Sequence, residues 1–400
     1  MRLPVHTACF LMRVLAVELR LVAVPLVRPF RTSFGEETTK QALLVRVQSE
    51  AEHGWGECVA SPDPRYSEEF IEGARQVLWS HLIPALWREE DVSAEDLARL
   101  FAWVRGNRMA KAALEMAVLD AQLRAERRPL AAYLGGQRDR VECGVSVGIP
   151  RSIEALIEQV GGYVERGYRR VKLKIEPGWD VEPVTKVRGA FPDVPLSVDA
   201  NGAYRLADLP VFEAIDPLDL LMIEQPLGHE DLLDHAALQR RIATPICLDE
   251  SLRSVEDLRA ALAVGACRIV NIKAGRVGGL LEARRMHDVA LDQGVPVWCG
   301  GMLETGVGRA ANLALAALPG FSLPGDTSAS DRYFEQDLTE PFVLAPDGTM
   351  GVPTGPGLGV EPLHDRLDAT TLWVEQLDRG AGTRPHQKEA AEGAGSETRG

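Results

Sequence analysis

The chain has 400 residues, 46% hydrophobic and 26% charged, a balance that fits a globular protein of one large or two ordinary domains and argues against a disordered or membrane-spanning one. A formal charge of −14 speaks against nucleic acid or an anionic membrane surface as partner. Six cysteines stand at irregular spacings without a CxxC pair, so buried free thiols are expected rather than disulfides, and Cys299 reads as packing.

At the N-terminus, MRLPVHTACFLMRVLAVELR carries an apolar stretch broken by Arg13 and Glu18. It is too short to span a bilayer and has no clean small-residue cleavage site, so a cytoplasmic location is expected. Residues 1–12 read as an N-terminal extension, with Met12 as an alternative start. VLAVELRLVAVPLV then alternates like a strand, RPFRTSFGEE reads as a polar loop, and QALLVRVQSE and HGWGECVA read as further antiparallel strands. From Glu68 to Leu134 the apolar spacing is helical, notably in EEFIEGARQVLWSHLIPAL and MAKAALEMAVLDAQLRA. Strands followed by a block of helices predict an α+β domain over 13–138.

From Val141 the rhythm becomes strand, helix, strand. The expected strands are VECGVSVGI, RVKLKI, PLSVDAN, LLMIEQP, PICLDES, RIVNIKA, VPVWCGG and FSLPGD, with helical patterns such as SIEALIEQVGGYVERG and LLEARRMHDVALDQG between them. The strands are nearly continuous in apolar residues, as where both faces are covered. Eight of them in α/β alternation predict a (β/α) barrel over 139–332; a doubly wound sheet is the alternative, but no GxGxxG follows the first strand. Residues 333–378 are short irregular pieces expected to pack back on the first domain, and 379–400 are rich in Gly, Ala, Glu, Thr and Ser and expected to be a disordered tail.

Five charged residues recur through the barrel at the ends of apolar runs: Lys174, Asp199, Glu224, Asp249 and Lys273, spaced by 25, 25, 25 and 24 residues. That is the length of one β/α unit, so all five are expected at one rim of the barrel, where functional groups gather. Three converging carboxylates repel one another and call for a cation; a hard divalent ion such as Mg²⁺ takes oxygen ligands and leaves positions open. Such an ion stabilises the charge formed when a carboxylate substrate loses its α-proton, and a lysine flanked by positive charge is a suitable base. Lys172 shares a strand face with Lys174, Asn201 with Asp199, and Asn271 with Lys273. Asp249 and Glu250 are expected to point oppositely, and the stride selects Asp249 as the ligand. Asn201 reads either as a site residue or as a turn with Gly202, and Ser146 either as a site residue or as a barrel filler. His287 reads as a helix-surface residue.

In this order and spacing, KLK, DAN, IEQP, LDES and NIK resemble the enolase superfamily, and two lysines without a histidine on the seventh strand resemble its muconate-lactonising subgroup. More closely, GVSVGI, YRRVKLKIEPGWD, CLDESL, GGMLETGVGRAANLALAALPGF and LPGDTSASDRYF are similar to o-succinylbenzoate synthases and N-acylamino acid racemases, from about Arg28 to about Val360. The resemblance implies an N-terminal α+β capping domain on a (β/α)7β modified TIM barrel. It implies Asp199, Glu224 and Asp249 as ligands of Mg²⁺, which Mn²⁺ or Co²⁺ replaces, and Lys174 and Lys273 as acid/base groups on opposite faces of the substrate. Lys172 would hold the substrate carboxylate; Ser146, Asn201, Gly301, Met302 and Leu303 match substrate contacts; Thr32, Ser33 and Phe34 match a capping loop. The implied function is a lyase forming 2-succinylbenzoate in menaquinone synthesis, with racemisation of N-acylamino acids at the same site, by a homo-oligomer acting on a small carboxylate. The alternative is a dipeptide epimerase or a muconate-type cycloisomerase. Such epimerases need an acid near the eighth strand to hold the dipeptide amine, and Asp326 is the one Asp in LPGDTSAS. A non-catalytic scaffold barrel would lack one or more of the five charged residues, and all are present.

Overall fold

The computed structural model describes residues 10–380. The expected extension and tail therefore fall mostly outside the described residues. Within them, Met12 is already buried and pairs with Val92.

Three antiparallel strands open the chain, β1 (Val14–Thr32), β2 (Gly35–Ser49) and β3 (His53–Cys58), followed after short helical turns by the long helix α1 (Arg108–Ala125). The alternation of VLAVELRLV places Val17, Leu19 and Leu21 on the buried face. Helix α1 lies across β3, and HGWGEC permits the contact: a Cβ at Gly54 or Gly56 would overlap the backbone of Ala117 or Ala113. RPFRTSFGEE is not the expected loop. β1 and β2 stay paired through Phe30↔Glu37, Arg31↔Glu36 and Thr32↔Gly35, leaving only Ser33 and Phe34 at the tip. The polar residues line a projecting hairpin arm, where composition resembles a loop but the ladder continues.

The barrel strands are β4 (Gly144–Val147), β5 (Arg170–Lys174), β6 (Leu196–Asp199), β7 (Ile223–Glu224), β8 (Ile246–Leu248), β9 (Ile269–Ile272) and β10 (Val297–Cys299). They form one parallel sheet in chain order, each after a helix, which is the right-handed β/α path. The eighth run, FSLPGD, makes no strand of its own. Pro324 has no N–H to donate, and closure rests on two isolated parallel bridges, Val297↔Phe321 and Cys143↔Gly325. Asp326 N donates to Cys299 O at 2.9 Å, and Gly144 N to Gly325 O at 2.6 Å. The architecture is a (β/α)7β modified TIM barrel with an N-terminal α+β cap. The final strand, β11 (Thr371–Asp378), adds to the cap sheet beside β1.

His287 departs from its expected place on a helix surface. Its helix, α2 (Leu280–Asp292), packs on the turn at Gly320, so the imidazole is buried, accepts from Gly320 N at 2.9 Å and stacks on Phe321. Burial pushes its pKa down. Cys58, Cys143, Cys247, Cys267 and Cys299 are free and buried, and no helix among the described residues is long and apolar enough to cross a membrane.

Candidate active site

The strand register brings the five evenly spaced residues to one rim. Lys174 is opposite Asp199, and Asp199 opposite Glu224, on β5, β6 and β7. Asp249 and Lys273 each follow the last residue of their strands, β8 and β9. In an eight-fold barrel the second and sixth positions face each other, so Lys174 and Lys273 stand on opposite sides of the rim.

The carboxylates are buried at the barrel end and meet ammonium groups. Lys174 Nζ lies 2.6 Å from Asp199 Oδ2, and Lys273 Nζ 2.6 Å from Asp249 Oδ2. Lys172 Nζ reaches Asp199 Oδ2 at 3.2 Å, Glu224 Oε2 at 2.8 Å and Asp326 Oδ2 at 2.7 Å. Arg276 pairs with the other oxygen of Asp249 at 2.8 Å, and Asn271 Nδ2 donates to Glu224 Oε1 at 2.7 Å. Gly300 leaves room for this packing, since a Cβ there would overlap the Asn271 amide.

Glu224 has its pKa pushed up to about 8 by burial and then by the charges of Asp199 and Asp249, against the opposing pull of Lys172. Burial works in the same direction on Asp199 and Asp249, but Lys174 and Lys172 hold the first low, and Lys273 and Arg276 the second. Burial lowers Lys172 and Lys273, yet their carboxylate partners outweigh it and keep both well above the usual lysine value. The sequence suggests lysines lowered by neighbouring positive charge; at these two, the carboxylates decide the sign.

The donor set fits a hard divalent cation. It consists of three buried all-oxygen side chains at neighbouring strand ends, crowded closely enough that Asp199 and Asp249 push Glu224 up and Asp199 opposes the charge of Asp249. As placed, the side chains turn to the lysines, and among the described residues no three His, Cys, Asp or Glu groups are drawn together as a ligand cage.

A cavity of about 340 Å³ lies over the rim between barrel and cap. Lys172, Lys174 and Lys273 line it from below, with Ser146, Asn201, Gly301, Met302 and Leu303 at its sides and Thr32 and Phe34 from the cap. The three carboxylates lie behind the lysines, and Ser33 instead touches the barrel, its Oγ 3.5 Å from Ala200 O. Ser146 is no mere filler: its Oγ donates to Asp326 Oδ2 at 3.2 Å. Asn201 satisfies both of its readings. It turns with positive φ before Gly202, while its Oδ1 accepts from Lys174 at 2.6 Å and its Nδ2 donates to Glu250 at 2.8 Å. Glu250 does not point away as strand alternation suggests, because β8 ends at Leu248 and Asp249 and Glu250 sit in a turn. Burial, then Asp249 and Asp199, raise Glu250 to about 7.

Three further contributors are not among the residues singled out from the sequence. Tyr66, from the cap, accepts from Lys273 Nζ at 3.0 Å and donates to Asp249 at 3.3 Å. Gln225, beside Glu224, accepts from Asp249 N and Ser251 N and so shapes the LDES turn. Arg170 is fully buried, paired with Asp326 and stacked 4.5 Å from the Trp298 ring centre. The IEQP motif singles out Gln225 in hindsight; nothing local marks Tyr66.

Known proteins share this fold. Residues 155–366 match the enolase C-terminal domain-like family, and residues 16–135 the mandelate racemase/muconate lactonizing enzyme N-terminal domain. An N-succinylamino acid racemase of an Amycolatopsis species is 59% identical over 91% of this chain and all of its own length. An o-succinylbenzoate synthase of Geobacillus kaustophilus is 48% identical over 91% of this chain and 98% of its own. The crystal structure of an enolase superfamily member from Listeria innocua superposes with a TM-score of 0.88 at 42% identity, covering 92% of this chain and 100% of that one. With both of its parts matched and its relatives aligned end to end, the chain belongs to the mandelate racemase/muconate lactonizing enzyme family of the enolase superfamily.

Proposed function

We propose that the protein removes and returns the α-proton of a small carboxylate between Lys174 and Lys273. In this reading it racemises N-succinylamino acids and, at the same site, dehydrates a cyclohexadiene carboxylate to 2-succinylbenzoate. One observation carries the proposal: two ammonium groups on opposite sides of one cavity, each bound to a carboxylate of the same buried set. The names of the relatives, a racemase and a synthase, support the same pair of reactions.

In this reading Asp199, Glu224 and Asp249 hold a divalent cation, Mg²⁺ first, which supplies charge stabilisation for the substrate carboxylate as its α-proton leaves. The other roles belong to the chain. Lys174 Nζ faces one side of the α-carbon and Lys273 Nζ the other, so the planar carbanion is protonated from either face. Asn201 fixes Lys174: its Nδ2 is committed to Glu250, which turns Oδ1 toward the ammonium. Lys172, held by Asp326 and Glu224, places a fixed positive charge at the substrate carboxylate. The hairpin tip and Tyr66 close the cavity against water. In the dehydration one lysine serves as base and then acid, and the other stabilises charge.

A dipeptide epimerase is disfavoured by Asp326. Its carboxylate is already bound by Arg170, Lys172 and Ser146, so it has no free charge for a dipeptide amine. The test is turnover with Mg²⁺ of N-succinyl-phenylalanine, of the synthase substrate and of Ala-Glu. Conversion of the first two is expected; efficient epimerisation of Ala-Glu with neither of the others turned over would overturn the reading.

A further inference from the structure

The lysines lining the cavity differ in one respect. Lys172, Lys174 and Lys273 are each neutralised by a carboxylate within the site. Lys40, on β2 of the cap, lines the same cavity, is only 4% exposed, and donates from Nζ to Met302 O at 2.9 Å. Among the described residues no carboxylate is paired with it. Glu57 feels its charge from a distance, but the Glu57 oxygens are taken by Thr305 N, Thr305 Oγ1 and Gly308 N. Glu304 is turned to Met302 N. An ammonium has three donors, and one is used here. A cation shielded from water without a counter-charge is costly unless a ligand brings one.

We propose that Lys40 anchors a second, distal carboxylate of the substrate, so that the site prefers dicarboxylates whose second acid group sits at the end of the acyl arm, as in a succinyl group. This rests on the α-proton reading above and names the subsite it leaves open. Met302 sets the geometry: its sulfur is 3.6 Å from Lys273 Nζ while its carbonyl binds Lys40. The distal anchor is therefore one residue's width from the reacting centre, on the cap side. Arg65, the other cap cation at the cavity, is mostly exposed and 3.3 Å from Asp63, so its charge is already answered in solvent.

The experiment compares N-succinyl- and N-acetyl-phenylalanine, which share everything but the distal carboxylate, in the wild type, Lys40→Met and Lys40→Arg. Racemisation is followed by polarimetry and binding by calorimetry. Lys40→Met should weaken the succinyl compound by roughly 10- to 100-fold, in KM and Kd more than in kcat, with the acetyl compound changed by less than about threefold. Lys40→Arg should recover most of the preference. Equal losses for both compounds would mean that Lys40 only holds Met302 in place, and an unchanged preference in Lys40→Met would mean that the distal acid binds elsewhere; either overturns the proposal while racemisation itself stands. If the wild type turns over neither compound yet binds the succinyl one in a Lys40-dependent way, the subsite stands and the assigned reaction falls. Binding of neither overturns both.

Discussion

Tyr66 links the cap to one lysine and not to the other, which makes Tyr66→Phe a one-sided perturbation. Its hydroxyl accepts from Lys273 at 3.0 Å and donates to Asp249 at 3.3 Å, while the ring centre lies 5.0 Å from Lys273 Nζ. Burial, and then the Asp249 charge, raise the phenol far above its usual pKa, so it acts as a neutral hydroxyl. Removing the oxygen leaves the cation–π contact and the ring packing against Phe34 in place but deletes two hydrogen bonds to charged groups. Such bonds contribute about 1.5–3 kcal/mol, so proton transfer by Lys273 should slow roughly 10- to 100-fold. Lys174, bound instead to Asp199 and Asn201, should be affected by less than about threefold. Proton NMR in deuterium oxide reads this directly, by following α-proton exchange from each enantiomer of an N-succinylamino acid separately. Lys273→Ala identifies the enantiomer served by Lys273, and the same enantiomer must be the slow one in Tyr66→Phe. Equal slowing of both enantiomers would refute the separation of faces.

Two further expectations test the metal set and the domain contact. Activity should vanish with EDTA and return with Mg²⁺, Mn²⁺ or Co²⁺, and Glu224→Gln should raise the metal concentration needed by at least about tenfold; full activity in metal-free buffer would refute the ligand assignment. Glu115, on α1, is buried against the start of α2, where its Oε1 accepts from Leu281 N at 3.1 Å, and burial raises its pKa from 4.5 to about 7. A raised carboxylate stabilises the fold below its unfolded pKa and loses that contribution as pH rises through the folded value, here about 3 kcal/mol between pH 4.5 and about 7. Urea unfolding of Glu115→Gln should show a flatter profile across that window, and an unchanged slope would contradict it.

The chemistry was legible because it is written locally. A β/α unit has a nearly fixed length, so a charge at each strand end becomes a stride of 25 residues that needs no knowledge of tertiary contacts. What stayed hidden depends on contacts across the chain. Tyr66 and Lys273 are 207 residues apart and Lys40 and Met302 are 262, so no window contains both partners. The hairpin at Ser33–Phe34 reads as a loop because its arm is polar on both faces, the case in which alternation disappears although pairing persists. Strand alternation misplaces Glu250 because it lies two residues beyond Leu248, where the ladder ends. His287 reads as a solvent-facing residue because a helical period cannot show that Gly320 leaves space for an imidazole.

The charge balance of the site sets one more expectation. Arg170, Lys172, Lys174, Lys273 and Arg276 face Asp199, Glu224, Asp249, Glu250 and Asp326 in one buried network, so the cluster is neutral only when all ten groups are ionised, and protonation of the raised Glu224 and Glu250 leaves it positive. A divalent cation adds two positive charges where little water can screen them, and it competes with the lysines for the same carboxylate oxygens. A dicarboxylate substrate brings two negative charges and restores the balance, one at the rim and one toward Lys40. Metal and substrate should therefore bind with positive coupling: calorimetric titration of Mg²⁺ should show at least about tenfold tighter binding with 2-succinylbenzoate present, and a mono-acid such as benzoate should give a smaller gain. By linkage the same factor must appear when the order of addition is reversed. Metal affinity indifferent to the organic ligand, or equal coupling for the two acids, would show that charge compensation does not govern this site.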